Sequence, residues 1–142
     1  MVVFERIDNV YRFVALDFVH NYPRWSEEVV ALEALSEGPV VEGFRARQKR
    51  VDKGHRTEST FEVTELIPNK RITFSGVDAG YRACYEMEDM RGATRLVFTF
   101  ELSQIERRMR PFEKLIRLAL QDGTTRTVRK LGSLIERAMI GR

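Results

Sequence analysis

Between residues 29 and 102 the chain alternates apolar and polar side chains in six successive segments, and no connection between them is long enough for a crossover helix. The segments run 29–35, 44–51, 56–66, 71–77, 81–87 and 94–102. Turn-forming residues separate them: Glu37-Gly38-Pro39, Asp52-Lys53-Gly54, Pro68-Asn69-Lys70, Asp78-Ala79-Gly80 and Arg91-Gly92. A parallel pair needs a connection of a dozen or more residues, so neighbouring strands are expected to pair antiparallel as a meander. Alternation assigns one dry face to Val30, Leu32, Phe61, Val63, Ile72, Phe74, Tyr81, Ala83, Tyr85, Leu96, Phe98 and Phe100. The other face carries Arg45, Arg47, Lys49, Glu58, Thr60, Glu62, Arg82, Glu86, Glu88, Arg95, Thr99 and Glu101. A sheet with one aromatic face needs a cover.

Residues 109–139 supply one. Phe112, Leu115, Ile116, Ala119, Leu120, Val128, Leu131, Leu134, Ile135 and Ala138 follow helical spacing. The stripe breaks at Gly123, Thr124 and Thr127, where the period asks for large apolar groups. Glycine costs about 1 kcal/mol against alanine inside a helix, so either the helix bends there or something else fills the space. Ahead of the sheet, residues 4–7 read as a first strand, and Asp8-Asn9 as capping side chains for a helix over 10–19 that buries Val10, Phe13, Val14 and Phe18. Proline disfavours helical geometry in the residue before it, so Asn21-Tyr22-Pro23 should end that helix and Trp25 should begin a second short turn. Tyr22 and Trp25 stand three apart, which lets one helical turn present both to the same side.

The 142 residues fit one domain, 1–142, and no apolar stretch approaches the roughly 20 residues that span a bilayer. The first residues lack the pattern of a signal peptide, so a cytoplasmic place is expected. The lone Cys84 excludes an internal disulfide and a cysteine-based zinc site. Charge is uneven: residues 105–142 carry 10 Lys/Arg against 4 Asp/Glu in a chain of net +3. Such a segment is either a solvated helix face or a surface for an anionic partner.

The order of elements, together with Tyr22-Pro23-Arg24-Trp25, residues 61–66 before a turn, Arg71-Ile72-Thr73-Phe74, and Gly92-Ala93-Thr94-Arg95-Leu96, resembles the START-like (SRPBCC, polyketide cyclase/dehydrase-like, Bet v 1-like) superfamily. The resemblance covers nearly the whole chain. It implies an α+β helix-grip fold: a curved antiparallel sheet of about seven strands wrapped around a long C-terminal helix, with two short helices after the first strand. It also implies a cavity between sheet and helix for a lipid, sterol, quinone or polyketide-like guest. Some relatives are cyclases or dehydratases and others have no known catalysis, so no catalytic residue carries over and none is assigned. The short Asp8-Asn9 link departs from relatives that place a Pro-containing loop there.

Trp25, Phe61, Phe74, Phe98 and Phe112 are expected to line the hollow, with Ile116, Leu120 and Thr124 facing them from the helix. Each of these rings is equally compatible with a filled core. Tyr22, Gln48, Ser59, Tyr81 and Tyr85 are the polar candidates, since a tyrosine hydroxyl orients a carbonyl without titrating. A bulge would bring Glu58 or Arg50 inward. Cys84 alternates with Arg82 and Glu86 and should face away from the cavity, which argues against a thiol–imidazole pair. His20 reads as an ordinary surface or capping histidine, and His20 and His55 lack metal-ligand spacing, so neither metal nor cofactor is expected. Base-stacking aromatics do not accompany Arg45, Arg47, Lys49 and Arg50, which argues against nucleic acid. The first reading is therefore a carrier of a hydrophobic small molecule. A cyclase or dehydratase using Tyr81, Tyr85 and Gln48 comes second. An interaction module with its basic C-terminal helix on a ribosome or anionic membrane surface comes third.

Overall fold

The computed structural model describes residues 1–102 and 107–140. In chain order it contains β1 (Val2–Val3), α1 (Ile7–Tyr11), a π-helical turn (Arg12–Leu16), α2 (Phe18–Trp25) and β2 (Val29–Ala34). Then come β3 (Arg45–Asp52), β4 (His55–Ile67), β5 (Arg71–Gly76), β6 (Tyr81–Asp89) and β7 (Thr94–Leu102). A 3-10 segment (Arg107–Phe112) leads into α3 (Glu113–Ile140). The seven strands form one antiparallel sheet in the order β1-β7-β6-β5-β4-β3-β2. This is the helix-grip fold expected from the sequence.

The meander follows from its turns. Lys53 and Gly54 both take positive φ, 50° and 81°, between the paired Asp52 and His55. That is the type I′ geometry whose twist matches paired strands, and glycine adopts it without strain. Two bulges, between Val29 and Ala31 and between Val63 and Glu65, adjust the register. The first one corrects the expected dry face of β2: Val29 is buried, while Val30 is 62% exposed.

The start of the chain differs from the sequence expectation in three ways. The first strand is 2–3, not 4–7, because β7 begins at Thr94 and offers Phe4 no partner. Thr94 Oγ1 donates to the Glu5 carbonyl at 2.8 Å, where the chain turns away. Second, Asp8 and Asn9 do not cap: Arg6 holds the cap position, Asp8 lies in the first turn, and Asn9 Nδ2 donates to Glu5 Oε1 at 2.7 Å. A carboxylate there still favours the positive end of the helix. Third, the single helix over 10–19 is two helices joined by the π-helical turn, and α2 runs through Pro23 to end on Trp25. Tyr22 keeps helical geometry despite the following proline because its hydroxyl is tethered to Gln48 and Arg50.

These helices fill the concave face of the sheet. Val10, Phe13, Val14 and Phe18 are all buried, and Phe18 touches Phe44, Phe61 and Phe74 with ring centroids 5.0–6.0 Å apart. The long helix contributes less than its sequence stripe suggests. Leu131 and Ile135 are fully buried, and Val128, Leu134 and Ala138 pack beside them. Phe112, Leu115 and Leu118 are 51%, 66% and 59% exposed. α3 passes through Gly123, Thr124 and Thr127 without interruption. A Cβ on Gly123 would meet nothing within 4 Å, so the small residues there border open space.

The helix is thus held by its second half. Ile135→Ala should cost about 2–5 kcal/mol, as emptying a fully buried aliphatic site usually does. Leu118→Ala should change stability by no more than about 0.5 kcal/mol. Equilibrium urea unfolding of both variants checks this, and equal losses would contradict the asymmetry.

Candidate functional site

A chain of hydrogen bonds crosses the concave face at the end of the sheet formed by β3, β4 and β6. Arg50 Nη1 donates to Tyr22 Oη at 3.1 Å, and Tyr22 Oη donates to Gln48 Oε1 at 2.9 Å. Gln48 Nε2 then donates to Tyr81 Oη at 3.2 Å and to Ser59 Oγ at 3.4 Å. Ser59 Oγ and Tyr81 Oη, 3.1 Å apart, share a further bond. Strand register explains the convergence: Gln48 lies opposite Ser59, and both side chains point inward by simple alternation. Gly76 makes room for Tyr81. A Cβ there would lie 2.8 Å from the tyrosine ring and 2.2 Å from the Ala79 carbonyl oxygen.

Arg50 faces inward without any bulge in the β3–β4 ladder, on the same side as Ala46 and Gln48. Glu58 stays outside, beside Arg47. The guanidinium is half-buried. Burial works against its charge, but two bonds from Nε and Nη2 to the Asp52 carboxylate, both 3.2 Å, outweigh that, and Tyr22 and Glu28 add to the effect. Arg50 is therefore held firmly cationic. The sequence signal for it was alternation itself, once β3 is placed.

The aromatic candidates separate into two groups. Trp25, Phe61, Phe74 and Tyr85 are buried and pack on one another: Phe61 meets Phe74 edge-on at 5.5 Å, and Trp25 meets Tyr85 at 5.9 Å. The Trp25 Nε1–H donates to Tyr85 Oη at 3.2 Å, so Tyr85 does not join the polar chain. Tyr22 and Trp25 share a side as expected, with rings 5.6 Å apart. The second group borders open space. Phe98 stacks on Tyr85 at 4.5 Å and Phe100 on Tyr81 at 5.9 Å. Beyond them a groove of about 440 Å³ runs between β7 and the first half of α3, walled by Phe98, Phe100, Leu102 and Leu120 together with the polar Thr99, Glu101, Arg117, Gln121 and Thr124. Ile116 is half-buried nearby on α3, whereas Phe112 is not brought to the interior and stands exposed on the far side. Periodicity placed Phe112 in the apolar stripe but could not tell whether the sheet extends far enough to cover it.

The remaining chemistry-bearing residues lie apart from this region. Cys84 is on the convex face, where burial pushes its thiol up and Thr73 Oγ1 approaches its sulfur at 3.5 Å. His20 and His55 are exposed. Among the described residues no group of three or more His, Cys, Asp or Glu is placed to hold a metal ion. The basic strand face is largely matched by acids: Arg45 pairs with Glu62, and Arg47 with Glu33 and Glu58.

The arrangement of a curved sheet and a terminal helix recurs in known proteins. The family model described as polyketide cyclase / dehydrase and lipid transport matches residues 6–136. The chain belongs to that family. Among solved structures, the protein TTHA0849 from Thermus thermophilus superposes with a TM-score of 0.78 at 19% identity, over 98% of this chain and 95% of that one. The Zhui aromatase/cyclase from Streptomyces sp. R1128 gives 0.76 at 15% identity, over 96% and 90%. The di-domain ARO/CYC BexL from the BE-7585A biosynthetic pathway gives 0.70 at 20%, over 96% of this chain and 44% of that one. At these identities the structures share the fold. No curated protein matches by sequence. In this family member the polar chain meets the groove through one contact: the Tyr81 ring, whose hydroxyl closes the chain, stacks on Phe100 of the groove wall.

All four tyrosines, Tyr11, Tyr22, Tyr81 and Tyr85, have their pKa raised, in each case chiefly by burial. The unfolded chain releases these protons near pH 10 and the folded chain later, so the folded state binds more protons in that window. Stability should therefore be unaffected by these groups below about pH 9 and should fall as pH rises beyond about 10. Tyrosinate absorbance should rise later in the native protein than in urea. Coincident titrations would contradict the burial of these hydroxyls.

Proposed function

We propose that the chain binds and carries an apolar or aromatic small molecule, of lipid, quinone or polyketide-like class, between the sheet and α3. The observation that supports this best is the groove at Phe98, Phe100, Leu120 and Thr124, where the small Thr124 of α3 stands opposite the rings of β7. Phe100 of its wall stacks on Tyr81, whose hydroxyl belongs to the polar chain backed by Arg50. An apolar body beside a few oriented polar groups is the usual composition of small-molecule sites. The guest that suits it is largely hydrocarbon, with an oxygen acceptor at the Tyr81 end. Residues 1–142 are taken as one domain, and a cytoplasmic place suits the single thiol.

A second reading, cyclase or dehydratase action on a polyketide-like substrate without metal, is favoured by one specific feature. Arg50 places a fixed positive charge behind two tyrosine hydroxyls, which suits stabilisation of negative charge developing on a substrate oxygen. The aromatase/cyclase names of two structural neighbours agree with that chemistry.

Leu120→Trp should fill the groove and weaken uptake of an apolar fluorescent probe by about tenfold or more, leaving thermal unfolding unchanged, because Leu120 is only half-buried. Tyr81→Phe should leave a pure hydrocarbon probe unaffected and weaken a phenolic one about fivefold, the worth of one hydrogen bond. Native mass spectrometry of protein from its own source should reveal a co-purifying organic molecule. Unchanged uptake by the tryptophan variant would reject the groove as the binding place.

A further inference from the structure

The first half of α3 has two unlike sides. One borders the groove, through Arg117, Leu120 and Thr124. The other side, facing solvent, carries Phe112, Leu115 and Leu118, which are 51%, 66% and 59% exposed. Their spacing of three places them along one side of the 3-10 segment and the helix that continues it. Isolated exposed apolar residues are ordinary, but three in register on a helix that could have presented polar groups there are a patch. Basic residues frame it. Arg110 and Lys114 lie beside its start, and Arg126 and Arg129 continue its side two turns on, with Asp122 as an acid on the same side. Residues 110–129 carry five Lys/Arg against two Asp/Glu, and Glu113 is engaged with Arg117 at 2.8 Å.

We propose that this side of α3 docks on an anionic lipid surface, with Phe112, Leu115 and Leu118 entering the headgroup boundary and Lys114, Arg126 and Arg129 meeting lipid phosphates and carboxylates. A helix with leucine and phenylalanine on one strip and Lys/Arg around it has the composition of an interfacial helix. A second copy of the chain fits less well. A two-fold contact through this face would set Lys114, Arg126 and Arg129 against themselves, and three side chains cover only a small part of the roughly 800 Å² per partner that a stable interface buries. A lipid surface needs no complementary shape and supplies the opposite charge. No helix among the described residues is long and apolar enough to cross a membrane, so the attachment lies in the interface plane. The contact brings the lipid surface to the helix half that walls the groove, so cargo entering from lipid would pass along the underside of the same helix.

The test is sedimentation of the full chain with phosphatidylcholine vesicles, with and without phosphatidylserine. Binding is expected only with phosphatidylserine and should weaken as salt is raised. Leu115→Ser combined with Leu118→Ser should lower the affinity about tenfold or more. Lys114→Glu combined with Arg126→Glu should abolish it. All four positions are exposed, so circular dichroism and thermal unfolding should match the parent protein. Absence of binding by the folded parent chain, equal binding to both vesicle types, or undiminished binding by the serine pair would each overturn the proposal. A concentration-dependent dimer in light scattering that the serine pair dissolves would assign the patch to a second copy instead. Because none of these readouts involves a guest in the groove, they stand or fall separately from the carrier reading.

Discussion

Leu131 and Ile135, buried where α3 crosses β1 and β7, decide where the long helix lies, and the open groove is a consequence. A helix of 28 residues extends about 42 Å at 1.5 Å per residue, more than the inner face of this sheet has left to cover. The concave surface is already occupied by α1, the π-helical turn and α2, whose Phe18 and Trp25 pack on the rings of the strands. With its second half fixed at the β1 edge, the first half of α3 can only lean over the end of β7. It leaves Phe98 and Phe100 partly uncovered on one side and its own leucines uncovered on the other. Cavity and exposed patch therefore have one cause.

The polar chain obeys a separate constraint. Gln48 and the Tyr22 and Tyr81 hydroxyls lie where water reaches poorly, and an unpaired polar group there costs about 1–3 kcal/mol. Each is satisfied by the next, and the direction of donation is set from one end. Arg50 only donates, so Tyr22 must pass its proton to Gln48 Oε1, which turns the amide nitrogen toward Tyr81 and Ser59. A charged group at a partly buried edge fixes the orientation of an uncharged one two residues inward. The arrangement leaves Tyr81 or Ser59 as the member with capacity to bond a guest, since every earlier link is committed.

Most of the fold could be read in the sequence because the strands alternate cleanly and their turns carry turn residues. Short connections allow one pairing, and pairing plus alternation assigns Phe61, Phe74, Tyr85 and Gln48 to the inside. The errors arise where a tertiary contact overrides a local rule. Pro23 should have ended its helix, but Tyr22 is held from the side by Gln48 and Arg50. Val30 should have faced inward, but a bulge at the sheet edge exchanged it for Val29. Arg50 was expected inward only through a bulge, although alternation alone places it beside Gln48, because no local pattern announces the Asp52 carboxylate that makes its partial burial tolerable. Phe112 illustrates a further limit: helical periodicity identifies an apolar stripe but carries no information about what covers it.

The protonation states of the polar chain also bear on what chemistry the site can support. Arg50 is held cationic by Asp52, and Tyr22 and Tyr81 are held protonated by burial, with Arg50 only partly opposing that shift. Near neutrality no member of the chain is free to take a proton, so none is suited to act as a general base. What the chain offers is oriented donation, strongest toward an oxygen that gains negative charge. Carriage needs no more than that orientation. A cyclisation promoted here would rest on the tyrosine hydroxyl donating to a carbonyl oxygen of the guest, with the proton released from carbon passing to water. The two functional readings thus use the same groups and differ only in whether the guest is itself reactive.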